Sequence, residues 1–403
     1  MTEILQECSN KTQFEPVTRV ERYAPLDILR GLSLFGVLMV NLLTFFRVSV
    51  FQYILTFHTH PGFANRIVDL LCVGLLDTKA VTLFSFSFGV GVSIQAERAY
   101  ARGANIERFL LRRFLALLFI GSCHMFLLSN VDILCLYAFC GLAMIPLIGT
   151  RARDLAVFGA IIIILSFFID FSACFPSPKA LHAAATQATR VYSTGNFWEI
   201  LSFRWTETWR LMLGVDFMWL PRTYGLMLLG LGAGRGGILK NSGHYTRLLW
   251  TTAIGGAMVG SVSTAARLYS EAWNHPHPIP IPPRIVEACS YVPLALAYGA
   301  GLFLILRYRP VLRALSFAAP LGQMALTNYL TQTVVLGLLF YGYGFGLMGK
   351  LGPAKASLIG IAIYCAQLVI SVFWLRRFRF GPCEWVWRSM TYGCLQPMRR
   401  KQG

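Results

Sequence analysis

The chain has 403 residues, of which 56% are hydrophobic and only 13% charged, and it carries a formal net charge of +18. Apolar runs recur at about 20 residues, the length that crosses a hydrocarbon core, which excludes an ordinary soluble fold. The Lys and Arg residues fall in short clusters between those runs, so the charge forms no continuous basic face and excludes nucleic acid as a partner.

In chain order, residues 1–25 are a polar tail, residues 26–380 a transmembrane helical domain, and residues 381–403 an amphipathic segment on the inner surface. No small-residue cleavage site follows the first apolar run, which therefore reads as a retained helix. Apolar stretches at 28–48, 77–96, 109–129, 132–149, 155–174, 220–235, 247–268, 286–306, 320–345 and 354–375 predict an all-α polytopic membrane protein of about ten transmembrane helices. One set of connections and tails holds 24 of the 36 Lys and Arg, and the positive-inside rule puts that set and both termini in the cytoplasm. The ten Cys are scattered without a CxxC pair, and no metal site is expected from their spacing.

An ionisable side chain at membrane depth costs roughly 2.5 to 3.5 kcal/mol on insertion, so those that occur there need a partner or a cavity. The first segment, RYAPLDILRGLSLFGVLMVN, sets Asp27, Arg30 and Asn41 on one helical stripe, with Asn41 about 16 Å beyond Arg30. The stripe either lines a cavity or bonds neighbouring helices.

In FIGSCHMFLLSNVDILCLYAF, His124 lies about 17 Å beyond Arg113, and a tight Ser129-Asn130 turn brings Asp132 to the start of the fourth segment. A carboxylate beside an imidazole holds its tautomer while the other nitrogen acts as a base. The competing account makes Asp132 a helix N-cap and His124 an interhelical hydrogen-bond partner. His124 is the one histidine placed inside a spanning segment.

Further on, NFWEILSFRWTETWRLML puts Trp198, Leu201, Trp205 and Trp209 at helical spacing, as in a helix lying in the membrane interface. Gly232, Gly234 and Gly237 satisfy GxGxxG, yet they end a membrane helix and follow no strand, so close packing is expected rather than a dinucleotide site. Arg235 in that run, with Arg112 and Arg113 at the inner end of the third segment, can meet a phosphate from the cytoplasm. NHPHPIPIPPR predicts an extended loop, in which His275 and His277 are solvated. Asn328 and Gln332 in PLGQMALTNYLTQT share a helix face and suggest a lined cavity. After the last spanning segment, RRFRFGPCEWVWRSM predicts a short amphipathic helix with Glu384 and Arg388 in a solvated anchor.

Taken together, LDILRGLSLFGVLMVN, the Gly-Ser-Cys-His run leading into VDILCLYAF, GQMALTNYLTQT and FGPCEWVWR resemble the YeiB-like bacterial membrane proteins. That family is similar to a wider superfamily of transmembrane acyltransferases that includes heparan-alpha-glucosaminide N-acetyltransferase. The resemblance implies a multi-pass protein of the bacterial inner membrane that moves an acyl group, acetyl foremost, from cytosolic acyl-CoA to a hydroxyl or amine of an extracytoplasmic glycan or small molecule. On that resemblance Asp27, Arg30 and Asn41 match the LDxxRG opening and its downstream Asn, and His124 and Asp132 match the His and Asp-Ile-Leu of the family pattern. The expectation that follows makes His124 the catalytic base and Asp132 the residue that orients it, with Asp27, Arg30, Asn41, Asn328 and Gln332 around the substrate and Arg112, Arg113 and Arg235 toward the acyl-CoA. In the heparan enzyme the catalytic histidine follows the first helix, where this chain offers His58 and His60 at shifted spacing, so the choice of histidine stays open. Membrane lipids are the surrounding partner, and a homo-oligomer is left open. The alternative function is a small polar solute transporter in which the same cavity carries the solute and His124 and Asp132 relay protons.

Overall fold

The computed structural model describes residues 23–56, 62–103, 105–169, 177–240, 243–273 and 283–400. The described residues are predominantly helical, and the one β feature among them is an isolated antiparallel bridge between Phe378 and Arg399. Among the described residues five helices are long and apolar enough to cross a membrane: Ala24–Phe46, Ile106–Leu127, Thr246–Ser270, Arg284–Ile305 and Pro353–Arg377. Ile133–Leu147 and Ala325–Phe340 are shorter apolar helices between them. The protein is thus an all-α polytopic membrane protein.

Helix α1, Ala24–Asn41, continues through a π turn at Leu42–Phe46. Two short helices follow, α2 at Val50–Thr56 and α3 at Phe63–Leu71, before α4 at Lys79–Ala101. Helices α5 (Ile106–Leu127) and α6 (Ile133–Met144) form a hairpin, and α7 is Ala152–Ser166. Helices α8 (Pro178–Thr194) and α9 (Phe197–Glu207) precede α10 (Leu213–Arg235). The second half contains α11 (Thr246–Trp273), α12 (Pro283–Ile305), α13 (Arg309–Leu315), α14 (Ala319–Gln323), α15 (Ala325–Phe340), α16 (Pro353–Arg377) and α17 (Pro382–Tyr392).

Each predicted spanning segment overlaps a helix, that at 155–174 as far as residue 166, with its last residues outside the described ones, and there is one difference of form. The expected segment 320–345 is broken at Met324, whose φ of −111° and ψ of 34° leave the helical region and divide α14 from α15. The break lets α14 lie tight on α1: a Cβ on Gly322 would stand 1.9 Å from the Asp27 carbonyl oxygen, so only glycine fits there. The glycines of GLGAGRGG serve helix packing. Cβ atoms on Gly232 and Gly234 would meet the Ala152 carbonyl at 2.9 Å and the Ser93 Cβ at 2.7 Å.

Burial is graded as a lipid solvent requires. Helix α1 is the central helix, with 67% of its apolar window buried, whereas α11 and α16 are 22% buried and present Met258, Val262, Leu358, Ile370 and Phe373 outward. Lipid is as apolar as these side chains, so helix association there rests on close packing and interhelical hydrogen bonds. Helix α10 packs along α4 and α7, α11 along α12, and α17 against the first turns of α5.

Candidate functional site

The α5–α6 hairpin carries the central pair. Helix α5 starts at Asn105, whose side chain accepts the Arg108 amide at 2.9 Å, and it ends where the His124 carbonyl accepts the amides of Leu128 and Ser129, each at 2.9 Å. Asp132 then N-caps α6, its Oδ2 accepting the Cys135 amide at 2.6 Å. The other carboxylate oxygen, Oδ1, lies 2.7 Å from His124 Nδ1. Capping and pairing are therefore simultaneous: the backbone bond fixes the carboxylate, and the carboxylate fixes the ring.

Both side chains are fully removed from solvent. The second ring nitrogen, Nε2, stands 3.0 Å from the Thr333 hydroxyl on α15. That hydroxyl donates either to Nε2 or to the Tyr329 carbonyl at 3.3 Å, so the threonine serves both the neutral and the protonated ring. The imidazole packs on the Tyr329 ring at 5.0 Å between centroids.

Tyr329 is also a wall of a cavity of about 230 Å³ that extends from it toward the end of the bundle carrying Tyr23, Arg98 and Arg388. Ile133 and Leu134, next to Asp132, line the same space. The cavity thus stops one side-chain layer short of His124. Its charged lining comprises Arg30, Arg98, Arg113 and Arg388 against Asp27 and Glu384, an excess of positive charge suited to an anionic ligand. Arg30 is held by α4, donating from Nη2 to the Ser87 carbonyl at 2.9 Å. The Arg113 guanidinium lies 3.7 Å above the Trp387 ring, and the Trp387 indole donates to the Arg113 carbonyl at 2.9 Å.

Glu384 departs from the solvated anchor expected of it. It is buried, and its carboxylate accepts the Leu326 and Thr327 amides at 2.7 and 3.1 Å and the Thr327 hydroxyl at 2.5 Å. It caps α15 from a neighbouring helix, at the break that Met324 opens. Burial pushes its carboxyl above the ordinary 4.5, against the hydrogen bonds from Thr327 and Leu326, which pull it down.

The other predicted residues sort plainly. Asp27, Arg30 and Arg113 line the cavity, whereas Arg112 is exposed outside it and Arg235 donates to the Ile148 carbonyl at an exposed position. Asn41 is half-buried at the entry to the π turn and does not reach the cavity. Asn328 and Gln332 face α16. Asn328 donates to Ser371 at 3.1 Å, Gln332 donates to Gln367 at 2.8 Å, and Gln367 donates to the Asn328 carbonyl at 2.9 Å. These amides join helices instead of lining a passage. His58, His60, His275 and His277 lie outside the described residues.

On the opposite side of His124 from the cavity sits a second polar group that sequence patterning assigns differently. Helix α9 and the π turn after it, Thr208–Met212, expose Trp198, Trp205 and Trp209, while Arg204 and Glu207 are 2% and 5% exposed. The tryptophans face outward and these two charged side chains turn inward. Arg204 donates to the Leu127 carbonyl at 2.7 Å, and Glu207 accepts from the Asn130 amide and from the Tyr192 hydroxyl at 2.6 Å. These bonds clamp the α5–α6 turn. Burial pushes the Glu207 carboxyl above 4.5 and the Tyr192 phenol well above 10.0. Thr333, Tyr329, Glu384 and this clamp are the residues that spacing alone misses.

A buried histidine–aspartate pair, roofed by a polar clamp and floored by a cationic cavity, defines a polytopic membrane protein with a site inside the bundle. The chain belongs to the YeiB-like family of proteins of unknown function. The family model described as "Protein of unknown function (DUF418)" matches residues 233–394, from the end of α10 through α17. The chain is 31% identical to the uncharacterized protein YxaH of Bacillus subtilis (strain 168), over 97% of this chain and 99% of that one. It is 29% identical to an uncharacterized 39.9 kDa protein in the amylase 3' region of Bacillus acidopullulyticus, over 96% of this chain and 99% of that one. It is 26% identical to the uncharacterized protein YeiB of Escherichia coli (strain K12), over 94% and 98% of the two chains.

Proposed function

We propose that the protein is an acyltransferase of the bacterial inner membrane that takes an acyl group, acetyl in the simplest case, from cytosolic acyl-CoA and delivers it to an extracytoplasmic hydroxyl or amine. The observation that carries this reading is the stacking of three layers: a cationic cavity, the Tyr329 ring, and His124 held by Asp132. A cavity of about 230 Å³ takes the acyl-thioester end of the donor, leaving its phosphates near Arg98 and Arg388 at the inner end. Arg112 and Arg235, outside the cavity, are not part of this donor site.

In the proposed step the acceptor replaces Thr333 at His124 Nε2 and loses its proton to that nitrogen as its oxygen or nitrogen attacks the thioester carbonyl. The C–S bond breaks, and the proton passes from the imidazolium to the departing thiolate. Asp132 stabilises the imidazolium between the two transfers. Movement of Tyr329 is required to join the cavity to the pair.

The transporter reading is favoured by a different observation: His124 is sealed from both sides, as a site between two vestibules would be. One experiment separates the two. Purified protein reconstituted with labelled acetyl-CoA and an amine or hydroxyl acceptor should release free coenzyme A and label the acceptor, and His124→Ala should abolish both while leaving folding intact. Undiminished transfer in His124→Ala removes the assignment, and passage of an unmodified solute without thioester consumption replaces the enzyme by a transporter.

A further inference from the structure

Besides the cationic cavity, a groove of about 510 Å³ lies on another face of α1, between α1, α4 and α12. Its walls are leucines with Gly36, Ala80, Ala297 and Gly301 at the narrow positions. Tyr298 also lines it, and the other two polar side chains are engaged: Ser33 donates to the Leu29 carbonyl at 2.8 Å and Lys79 to the Val73 carbonyl at 2.8 Å. The lining is mostly apolar, and the size lies within the roughly 300–1,000 Å³ of ligand sites. Helices α1 and α12 are long and apolar enough to cross a membrane, so the groove between them opens toward hydrocarbon.

The inner end of the groove carries charge of one sign. Leu32 and Leu302 line it and share one apolar cluster with Leu312 and Leu315 of α13, so α13 borders that end. An adjoining face of α13 exposes Arg309 and Arg313, one helical turn apart, just past the end of the apolar helix α12. A pair of exposed arginines just beyond an apolar slot fits a phosphate attached to an acyl chain, and the cytoplasmic leaflet supplies it.

The geometry points to a binding site for one anionic phospholipid of the inner leaflet, with an acyl chain in the α1–α4–α12 groove and its headgroup phosphate on Arg309 and Arg313. Leu29, Ser33 and Gly36 of α1 face this lipid while Asp27, Arg30 and Leu34 face the cavity, so the bound chain supports one wall of the functional site. The inference is independent of acyl transfer.

The test is native mass spectrometry of the full chain released from detergent in the presence of phosphatidylglycerol or phosphatidylcholine with the same acyl chains. The wild-type protein should retain one phosphatidylglycerol and bind phosphatidylcholine at least tenfold more weakly. A Cβ on Gly301 meets open space, so Gly301→Leu fills the groove without a backbone clash and should lower phosphatidylglycerol retention at least tenfold. Arg309→Ser with Arg313→Ser, both at exposed positions, should equalise the two lipids while leaving the fold untouched. Equal retention of both lipids by the wild-type protein overturns the headgroup assignment, and unchanged retention in Gly301→Leu overturns the groove. If Gly301→Leu unfolds, Ala297→Leu on the same wall gives the same reading.

Discussion

Thr327 on α15 and Glu384 on α17 cap each other's helix: the threonine hydroxyl donates to the carboxylate and accepts the Cys383 amide at 3.0 Å, while the carboxylate takes two amides at the start of α15. Each helix thereby satisfies N-terminal amides of the other. Removing the carboxylate leaves buried donors on α15 without partners. Glu384→Ala should lower the unfolding free energy by about 2–3 kcal/mol and Thr327→Val by about 1–2 kcal/mol. The double variant should lose less than the sum, because the same bonds are counted in both. Reversible denaturation in mixed micelles measures all three, and strictly additive losses would show that the two side chains act separately.

Glu207 gives a pH dependence of defined sign. Burial raises its carboxyl above 4.5, while the Tyr192 hydroxyl, the Asn130 amide and the Arg204 guanidinium pull it down by less. A carboxyl with a raised value binds its proton more tightly folded than unfolded, so its contribution is fully present below the ordinary value and is lost as pH rises through the raised one. Stability should fall across that window and then level off. Glu207→Gln should flatten the slope. A melting temperature that rises with pH over the same interval in the wild-type protein, and not in Glu207→Gln, contradicts the sign.

The helices themselves are legible in the sequence because apolar length is a direct requirement of the bilayer, and Arg30 and Asp27 are correctly set on one face by the helical period. The orientation of polar faces is less legible. Helix α9 and the π turn after it show the reason: Trp198, Trp205 and Trp209 opposite Arg204 and Glu207 give the same pattern whether the charged face meets water or protein, and the choice depends on what surrounds the helix. Glu384 fails similarly, since FGPCEW reads as a helix start and nothing local reveals that α15 begins beside it. The Asn328 and Gln332 stripe is read correctly as a face, but its partner, α16, is about 35 residues away and supplies Gln367 and Ser371 only through the fold.

Asp132 performs two tasks that substitution can separate. Asparagine caps helices as well as aspartate does, so Asp132→Asn should retain the bond to the Cys135 amide and leave stability within about 0.5 kcal/mol. It cannot stabilise an imidazolium, so the proposed acyl transfer should fall by roughly two orders of magnitude or more. Asp132→Ala loses both, with a further stability loss of about 1 kcal/mol. Labelled acetyl transfer and thermal unfolding on the same preparations decide this, and full transfer activity in Asp132→Asn would reduce the residue to a cap.

The cationic cavity predicts a selective map of arginine substitutions. Arg30→Gln and Arg388→Gln change the lining, and each should weaken acetyl-CoA binding about tenfold, the effect of one lost charge-assisted contact. Arg112→Gln and Arg235→Gln, outside the cavity, should leave it unchanged. Titration calorimetry of the purified protein with acetyl-CoA provides the comparison. Equal weakening in all four variants would mean that the inner surface acts by its overall charge and that the cavity is not the donor site.

The α15–α16 amide contact predicts an asymmetry. Gln332 Oε1 is buried without a hydrogen-bond partner, while Gln332 Nε2 donates to Gln367 and Gln367 donates onward to Asn328 and to Thr331 at 2.9 Å. Gln332→Leu removes one bond but also removes the unpaired oxygen, so its net effect should be under about 1 kcal/mol. Gln367→Leu strands the Gln332 amide on both ends and deprives Asn328 and Thr331 of their donor, which should cost about 1–2 kcal/mol. Adding Gln332→Leu to Gln367→Leu should then recover part of that loss, because a leucine pair leaves no buried amide between the helices. Denaturation midpoints of the two single variants and the double variant measure the order directly, and a larger loss for Gln332→Leu than for Gln367→Leu would reverse the assignment of donor and acceptor along the ladder.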